Sequence, residues 1–166
     1  MTVRLHRLRA GDAAPLRELR LRALADAPAA FADSLDAQRR LPLDVWTGWA
    51  SAAAEDAGTV IIVAVDNDRW VGMIVGRLLA DGGETAWLEA LWVDPGTRRR
   101  RLGERLIEAV AEWAREGGAV RLDLSVTEGN AAARALYAHA GFAPTGRRRP
   151  LPADTARIEI FLSRKL

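Results

Sequence analysis

The chain has 166 residues, 49% of them hydrophobic and 28% charged, the balance of one soluble globular domain over residues 1–166. Its 24 basic and 22 acidic residues leave a formal net charge of +2, too little to call for a nucleic-acid partner. The absence of cysteine and the presence of only His6 and His139 exclude a thiol nucleophile, disulfides and a histidine-rich metal cluster, so no metal is expected.

In chain order, residues 3–9 alternate well enough for a first strand. Gly11 and Asp12 then offer a helix start, with Asp12 as cap and Pro15 in the first turn. Leu16, Leu19, Ala23 and Leu24 share one helical face until Pro28 ends it. Residues 31–55 read as helix in pieces, broken at Pro42, with Val45, Trp46 and Trp49 at helical spacing and Gly58 as the stop. Residues 60–65 are continuously apolar, Asp66, Asn67 and Asp68 make a turn, and residues 70–79 resume the apolar texture. That is a hairpin of two buried strands.

Asp81, Gly82 and Gly83 form the next turn, and residues 86–93 a third consecutive strand, closed by Asp94-Pro95-Gly96. Leu102, Leu106, Val110, Trp113 and Ala114 mark an amphipathic helix ending near Gly117 and Gly118. Residues 120–126 are a strand with Val120, Leu122, Leu124 and Val126 on one face. A helix over 130–140 is capped by Asn130 and stopped by Gly141. A short strand starts at Phe142, and residues 157–162 form the last one. This order predicts an α/β (α+β) fold with a mixed, mostly antiparallel sheet and helices on both faces. No apolar run reaches the roughly 18 residues of a membrane span. The first residues lack the basic-then-apolar layout of a secretory signal, so a cytoplasmic protein that does not touch membranes is expected.

The most informative segment is Leu91-Trp-Val-Asp-Pro-Gly-Thr-Arg-Arg-Arg-Arg-Leu-Gly-Glu104. A buried strand runs through a turn into a helix N-terminus, whose first amides lack internal partners and sit at the positive end of the helix dipole. Such a terminus accepts phosphate. Arg98, Arg99, Arg100 and Arg101 add positive charge beside it, and Gly103 removes a side chain where backbone would approach a ligand. A solvated arginine run and a packing glycine are the plainer alternatives.

The pattern Val93-Asp94-Pro95 followed by Arg98-Arg-Arg-Arg101-Leu102-Gly103 resembles the acetyl-CoA signature of the GCN5-related N-acetyltransferases (GNAT), with Arg101 where that family usually has its first glycine. The segment from Asn130 through Ala133, Leu136 and Tyr137 to Gly141-Phe142 resembles the family's later motif, at the same spacing. The resemblance covers residues 86–142 well and the earlier chain more loosely. It implies acetyl-CoA as cosubstrate and a GNAT-like acyl-CoA N-acyltransferase fold. In that fold the strand of residues 86–93 splays from that of 120–126, and the pantetheine arm lies in the gap against the backbone of Leu91, Trp92 and Val93. The cofactor set that follows is Leu91, Trp92, Val93, Arg98, Arg99, Arg100, Arg101, Leu102, Gly103, Glu104, Asn130, Ala133 and Tyr137. The acceptor implied is a primary amine, of a small molecule, an amino acid or a protein N-terminus, and a homodimer is compatible with the family.

For chemistry, Tyr137 is the first candidate. A phenol beside the departing sulfur donates a proton or hydrogen bond; the alternative is a core aromatic. Glu89 is the second, a carboxylate in an otherwise apolar strand that needs a partner or water. It is read as a base for the incoming ammonium, or as a salt-bridge partner. Asn130 caps its helix and touches the cofactor. His139 is read as a surface residue, Asp123 as a partner of Arg121, and Trp87 and Trp92 as core or cleft wall. Arg147, Arg148 and Arg149 are read as a loop, which the resemblance implies borders the acceptor cleft; the run suggests an acidic acceptor or acidic peptide, or else a solvated loop. Transfer of a different acyl group and a non-catalytic acyl-CoA-binding module are the competing functions.

Overall fold

The computed structural model describes residues 3–31, 33–98, 101–152 and 154–166. Seven strands form one sheet in the order β1-β2-β3-β4-β5-β7-β6. They are β1 (Arg4–Arg7), β2 (Thr59–Asp66), β3 (Arg69–Leu78), β4 (Thr85–Val93), β5 (Arg121–Thr127), β6 (Ala143–Leu151) and β7 (Asp154–Lys165). The helices are α1 (Ala13–Asp26), α2 (Leu35–Arg40), α3 (Leu43–Glu55), α4 (Leu102–Glu116) and α5 (Ala131–His139). Among the described residues no helix is long and apolar enough to cross a membrane.

Helices cover both faces, which is why β2 and β3 are apolar without alternation. On one face Ile62, Ile74, Leu88, Leu122 and Leu124 pack against Leu106, Ile107 and Val110 of α4. On the other, Val63, Met73 and Trp92 pack against Leu16 and Leu19 of α1 and Trp46 of α3. The β2–β3 hairpin closes through Asn67 and Asp68, whose φ angles of 47° and 66° are the two positive values a type I′ turn requires. Gly76 lets α4 lie close, since a Cβ there would sit 2.7 Å from Val110.

Two irregularities shape the middle of the sheet. The parallel pairing of β4 with β5 covers only Thr85–Trp87 against residues 121–123, whereas β5 stays paired with β7 over its whole length. Beyond Trp87 the two strands diverge. At the same place β4 carries a bulge: Val75 faces Glu89 and Met73 faces Trp92, so β4 spends one residue more than β3. Ala90 takes the left-handed φ of 53° that this requires.

Several expectations shift in detail. Val120 lies just before β5 and is exposed, outside the buried face of Leu122, Leu124 and Val126. The segment after Phe142 is not a short strand followed by a loop: β6 is nine residues long and contains all three arginines 147–149. As an edge strand with almost every side chain exposed, β6 has no apolar periodicity to read. Asp12 stands at the start of α1, but its carboxylate turns back to accept from the Arg9 amide at 2.8 Å instead of capping the helix.

Candidate active site

Where β4 and β5 part, a cavity of about 500 Å³ opens, lined by Leu88, Leu91, Val126, Asn130, Ala133 and Tyr137 among others. On the α1/α3 side of the sheet lies a second cavity of about 510 Å³, lined by Trp46, Trp49, Met73 and Val75 among others. Arg20, Asp33, Glu89 and Ala90 line both. The β4 bulge therefore stands at the junction of the two chambers, and it aims Glu89 there.

Tyr137 is buried, stacked edge-on against Phe142 at 5.7 Å, and burial pushes its phenol up to about 12. It stays protonated throughout the neutral range, the state a hydrogen-bond or proton donor needs. Among the described residues its hydroxyl has no hydrogen-bond partner. Asn130 accepts from the Ala133 amide at 3.1 Å through its side-chain oxygen, so the cap of α5 forms as the sequence predicts. The same residue lines the first cavity.

Glu89 is half-exposed and accepts from Arg77 Nε at 2.7 Å. The β3–β4 register places Glu89 opposite Val75, two residues from Arg77, so the pair is diagonal on one sheet face. Arg77 also donates to Thr59 Oγ1 at 3.4 Å, and Thr59 donates to Asp56 Oδ2 at 2.6 Å. A polar chain thus runs from the bulge along the wall of the second cavity.

Leu91 lines the first cavity, and Val93 packs toward the α4 side. The Trp92 side chain goes to the opposite face, where it is buried and its indole nitrogen donates to Asp26 at 2.9 Å. Only its backbone is available on the cleft side. The edge of β4 facing β5 is unpaired beyond Trp87, so it can take an added extended partner.

The turn after β4 leads into α4. Arg101 occupies the N-cap position with a left-handed φ of 55° and no side-chain cap on the helix, leaving the amides of Leu102, Gly103 and Glu104 free of side-chain acceptors. Its guanidinium folds onto Glu104 at 2.7 Å, which holds that carboxyl below its ordinary range. Arg98 donates to the Val93 carbonyl at 2.9 Å and pairs with Asp26, so its charge serves to tie β4 to α1. Arg99 and Arg100 lie outside the described residues. A Cβ on Gly103 would meet Leu136 at 3.0 Å, so this glycine makes room for α5.

The remaining expectations resolve simply. His139 is exposed, 3.8 Å from Glu104. Asp123 accepts from Arg121 at 3.1 Å and Ser163 at 2.5 Å. Trp87 stands in the cavity wall beside Phe161. Arg148 pairs with Glu128 at 2.8 Å, Arg149 pairs with Glu159, and Arg147 lies over the Phe161 ring at 4.2 Å. None of the three is among the residues lining either cavity.

The open β4 edge and the Asn130–Tyr137 motif share one cleft, while the uncapped start of α4, one turn beyond β4, is not among the residues lining it. The model of the acetyltransferase (GNAT) family matches residues 20–142. The chain belongs to this family. Streptothricin acetyltransferase of Streptomyces lavendulae is 37% identical to it over 99 residues, 60% of this chain and 52% of that protein. Mycothiol acetyltransferase of Beutenbergia cavernae is 33% identical over 94 residues, 48% of this chain and 32% of that protein. The chain thus spans only about a third to a half of the length of these curated relatives. The crystal structure of PaiA N-acetyltransferase from Thermoplasma acidophilum, in complex with coenzyme A, superposes over 100% of both chains with a TM-score of 0.78 at 14% identity. The GNAT fold therefore extends over the full length of the chain.

Sequence reading did not find Arg77, Thr59, Asp56 or Arg20. They lie on β3, β2, the turn after α3 and α1, and only the register of the hairpins and the packing of α1 and α3 bring them together. One signal was available: Arg77 ends an apolar strand and Glu89 interrupts the next, a pattern that a correct hairpin register turns into a cross-strand pair.

Proposed function

We propose that this GNAT protein is an N-acetyltransferase that moves an acetyl group from acetyl-CoA to a primary amine by direct attack on the thioester. The observation that carries the reading is the junction of the two cavities, with Tyr137 in the cleft beside the open β4 edge and Glu89 on the bulge facing both chambers. Acetyl-CoA supplies an activated acyl group with a thiolate leaving group. The backbone of Leu91, Trp92 and Val93 offers amide pairing along the open β4 edge, and the amides of Leu102, Gly103 and Glu104, one turn further along the chain, offer a helix start for phosphate. Asn130 lines the cleft, and Arg101 stands at the start of α4. Arg98 contributes by fixing the end of β4, and Ala133 forms part of the wall.

The roles of the chain's own groups follow from their surroundings. Glu89, held by Arg77, takes the proton of the incoming ammonium directly or through a water, which frees the amine lone pair. Tyr137, kept neutral by burial, donates its hydroxyl hydrogen toward the departing sulfur. The same reading sets the enzyme in the cytoplasm and is compatible with a homodimer. Thiol release from acetyl-CoA, followed across a panel of primary amines, tests the reading. Amine-dependent release supports it. Acetyl-CoA binding with no release on any amine would favour an acyl-CoA-binding module, and faster release from propionyl- or succinyl-CoA would favour a different acyl donor.

A further inference from the structure

The chamber on the α1/α3 side has a wall chemistry that constrains what enters it. Its body is apolar and aromatic: Met73 and Val75 from β3 face Trp46 and Trp49 from α3. The two indoles meet edge-on at 5.0 Å, and Trp49 remains 44% exposed, so an aromatic face stands free at the mouth. The volume of about 510 Å³ falls in the ordinary range of small-molecule sites.

The charges in the wall are not balanced. Three carboxylates, Asp33, Asp56 and Glu89, face two guanidiniums, Arg20 and Arg77, among the described lining residues. Each guanidinium already faces a carboxylate: Arg20 donates to Asp33 at 2.8 Å and Arg77 to Glu89 at 2.7 Å. The third carboxylate, Asp56, is held mainly by neutral donors, the Thr59 hydroxyl at 2.6 Å and the Gly58 amide at 2.8 Å, with a weaker attraction from Arg77, which Glu89 already engages. The chamber thus carries one uncompensated negative charge, and no guanidinium in it stands without a carboxylate partner.

Taking the acetyltransferase reading as its basis, we infer that the acceptor is a primary amine carried on an apolar, ring-sized body that bears no carboxylate. The surplus negative charge attracts a monocation. A carboxylate on the ligand would have to share Arg20 with Asp33 or Arg77 with Glu89, and would sit beside three acids. The indoles and Met73 bury the body and offer a π face to a cation at the mouth. This assigns acceptor choice to α3 and β3, away from the arginines of β6, all of which have partners of their own.

The test compares 2-phenylethylamine with L-phenylalanine, which adds a carboxylate to the same body, and with ethylamine, which lacks the ring. Thiol release at saturating acetyl-CoA gives kcat/KM for each, and quenching of tryptophan fluorescence by 2-phenylethylamine without acetyl-CoA gives binding independent of turnover. Expected are at least a tenfold preference for 2-phenylethylamine over both others, saturable quenching, and a loss of about tenfold in its advantage over ethylamine in Trp49→Ala, through KM. Trp49 is exposed enough to be replaced without unfolding α3. Equal or better turnover of L-phenylalanine, an unchanged ratio in Trp49→Ala, or acetyl-CoA binding with no quenching would each overturn the inference. Quenching in a protein that fails to bind acetyl-CoA would retain the chamber's chemistry and overturn the acetyltransferase reading instead.

Discussion

The two chambers that meet at Glu89 and Ala90 are built from different materials. The one beside Tyr137 is opened by backbone geometry: two strands that pair for three residues and then part, and a bulge in one of them. The one beside Trp49 is a side-chain construction, in which α1, α3, β2, β3 and β4 all contribute to an apolar wall with a charged rim. Backbone geometry serves a ligand part that does not vary, such as a phosphate or a pantetheine amide. Side chains tune the site to a ligand that does. A fold can keep the first chamber constant and change acceptor by replacing residues in the second.

The comparison is sharpened first at Tyr137. Tyr137→Phe keeps the ring that packs on Phe142 and removes only the hydroxyl. It is expected to lower kcat by about a hundredfold while acetyl-CoA affinity, read by calorimetry, stays the same. A loss confined to KM would return Tyr137 to a packing role. Glu89→Gln at the junction is expected to cost about tenfold in kcat near neutral pH, and the deficit should shrink as pH rises toward the amine's own pKa. A deficit constant with pH would make Glu89 a binding group.

Smaller effects separate architecture from chemistry. Arg101→Gly removes a side chain from a left-handed conformation, so it should raise stability by about 1 kcal/mol in urea unfolding. It should also weaken acetyl-CoA binding, because the guanidinium beside the helix start is lost. Stability that falls would mean that the pair with Glu104 outweighs the backbone cost. On the far side of α4, Arg164 on β7 holds Glu108 below its ordinary range. A depressed folded pKa stabilises the protein above the unfolded value of a glutamate and is lost as pH falls through the folded value. Wild type should therefore exceed Glu108→Gln by less than about 1 kcal/mol at neutral pH, given the half-exposed carboxylate, and the gap should close in acid.

What could be read from the sequence follows the same division. The order of elements, the buried hairpin, the amphipathic α4 and the cap at Asn130 are local patterns, and the structure bears them out. The β4 bulge was not readable, because Ala90 carries no mark of the left-handed turn it makes. The length of β6 was missed because an exposed edge strand has no buried face to set a period. The polar chain from Glu89 to Asp56 joins three separate elements through hairpin register, which one-dimensional spacing does not encode.

Acetyl-CoA binding is tested by calorimetric titration into the purified protein, alongside the same titration with S-acetylpantetheine, which lacks the pyrophosphate and the nucleotide. The account predicts a single saturable transition for acetyl-CoA and a much weaker one for S-acetylpantetheine, since the amides at the start of α4 would then have no phosphate to hold. No heat with acetyl-CoA, or equal affinity for both, would contradict it.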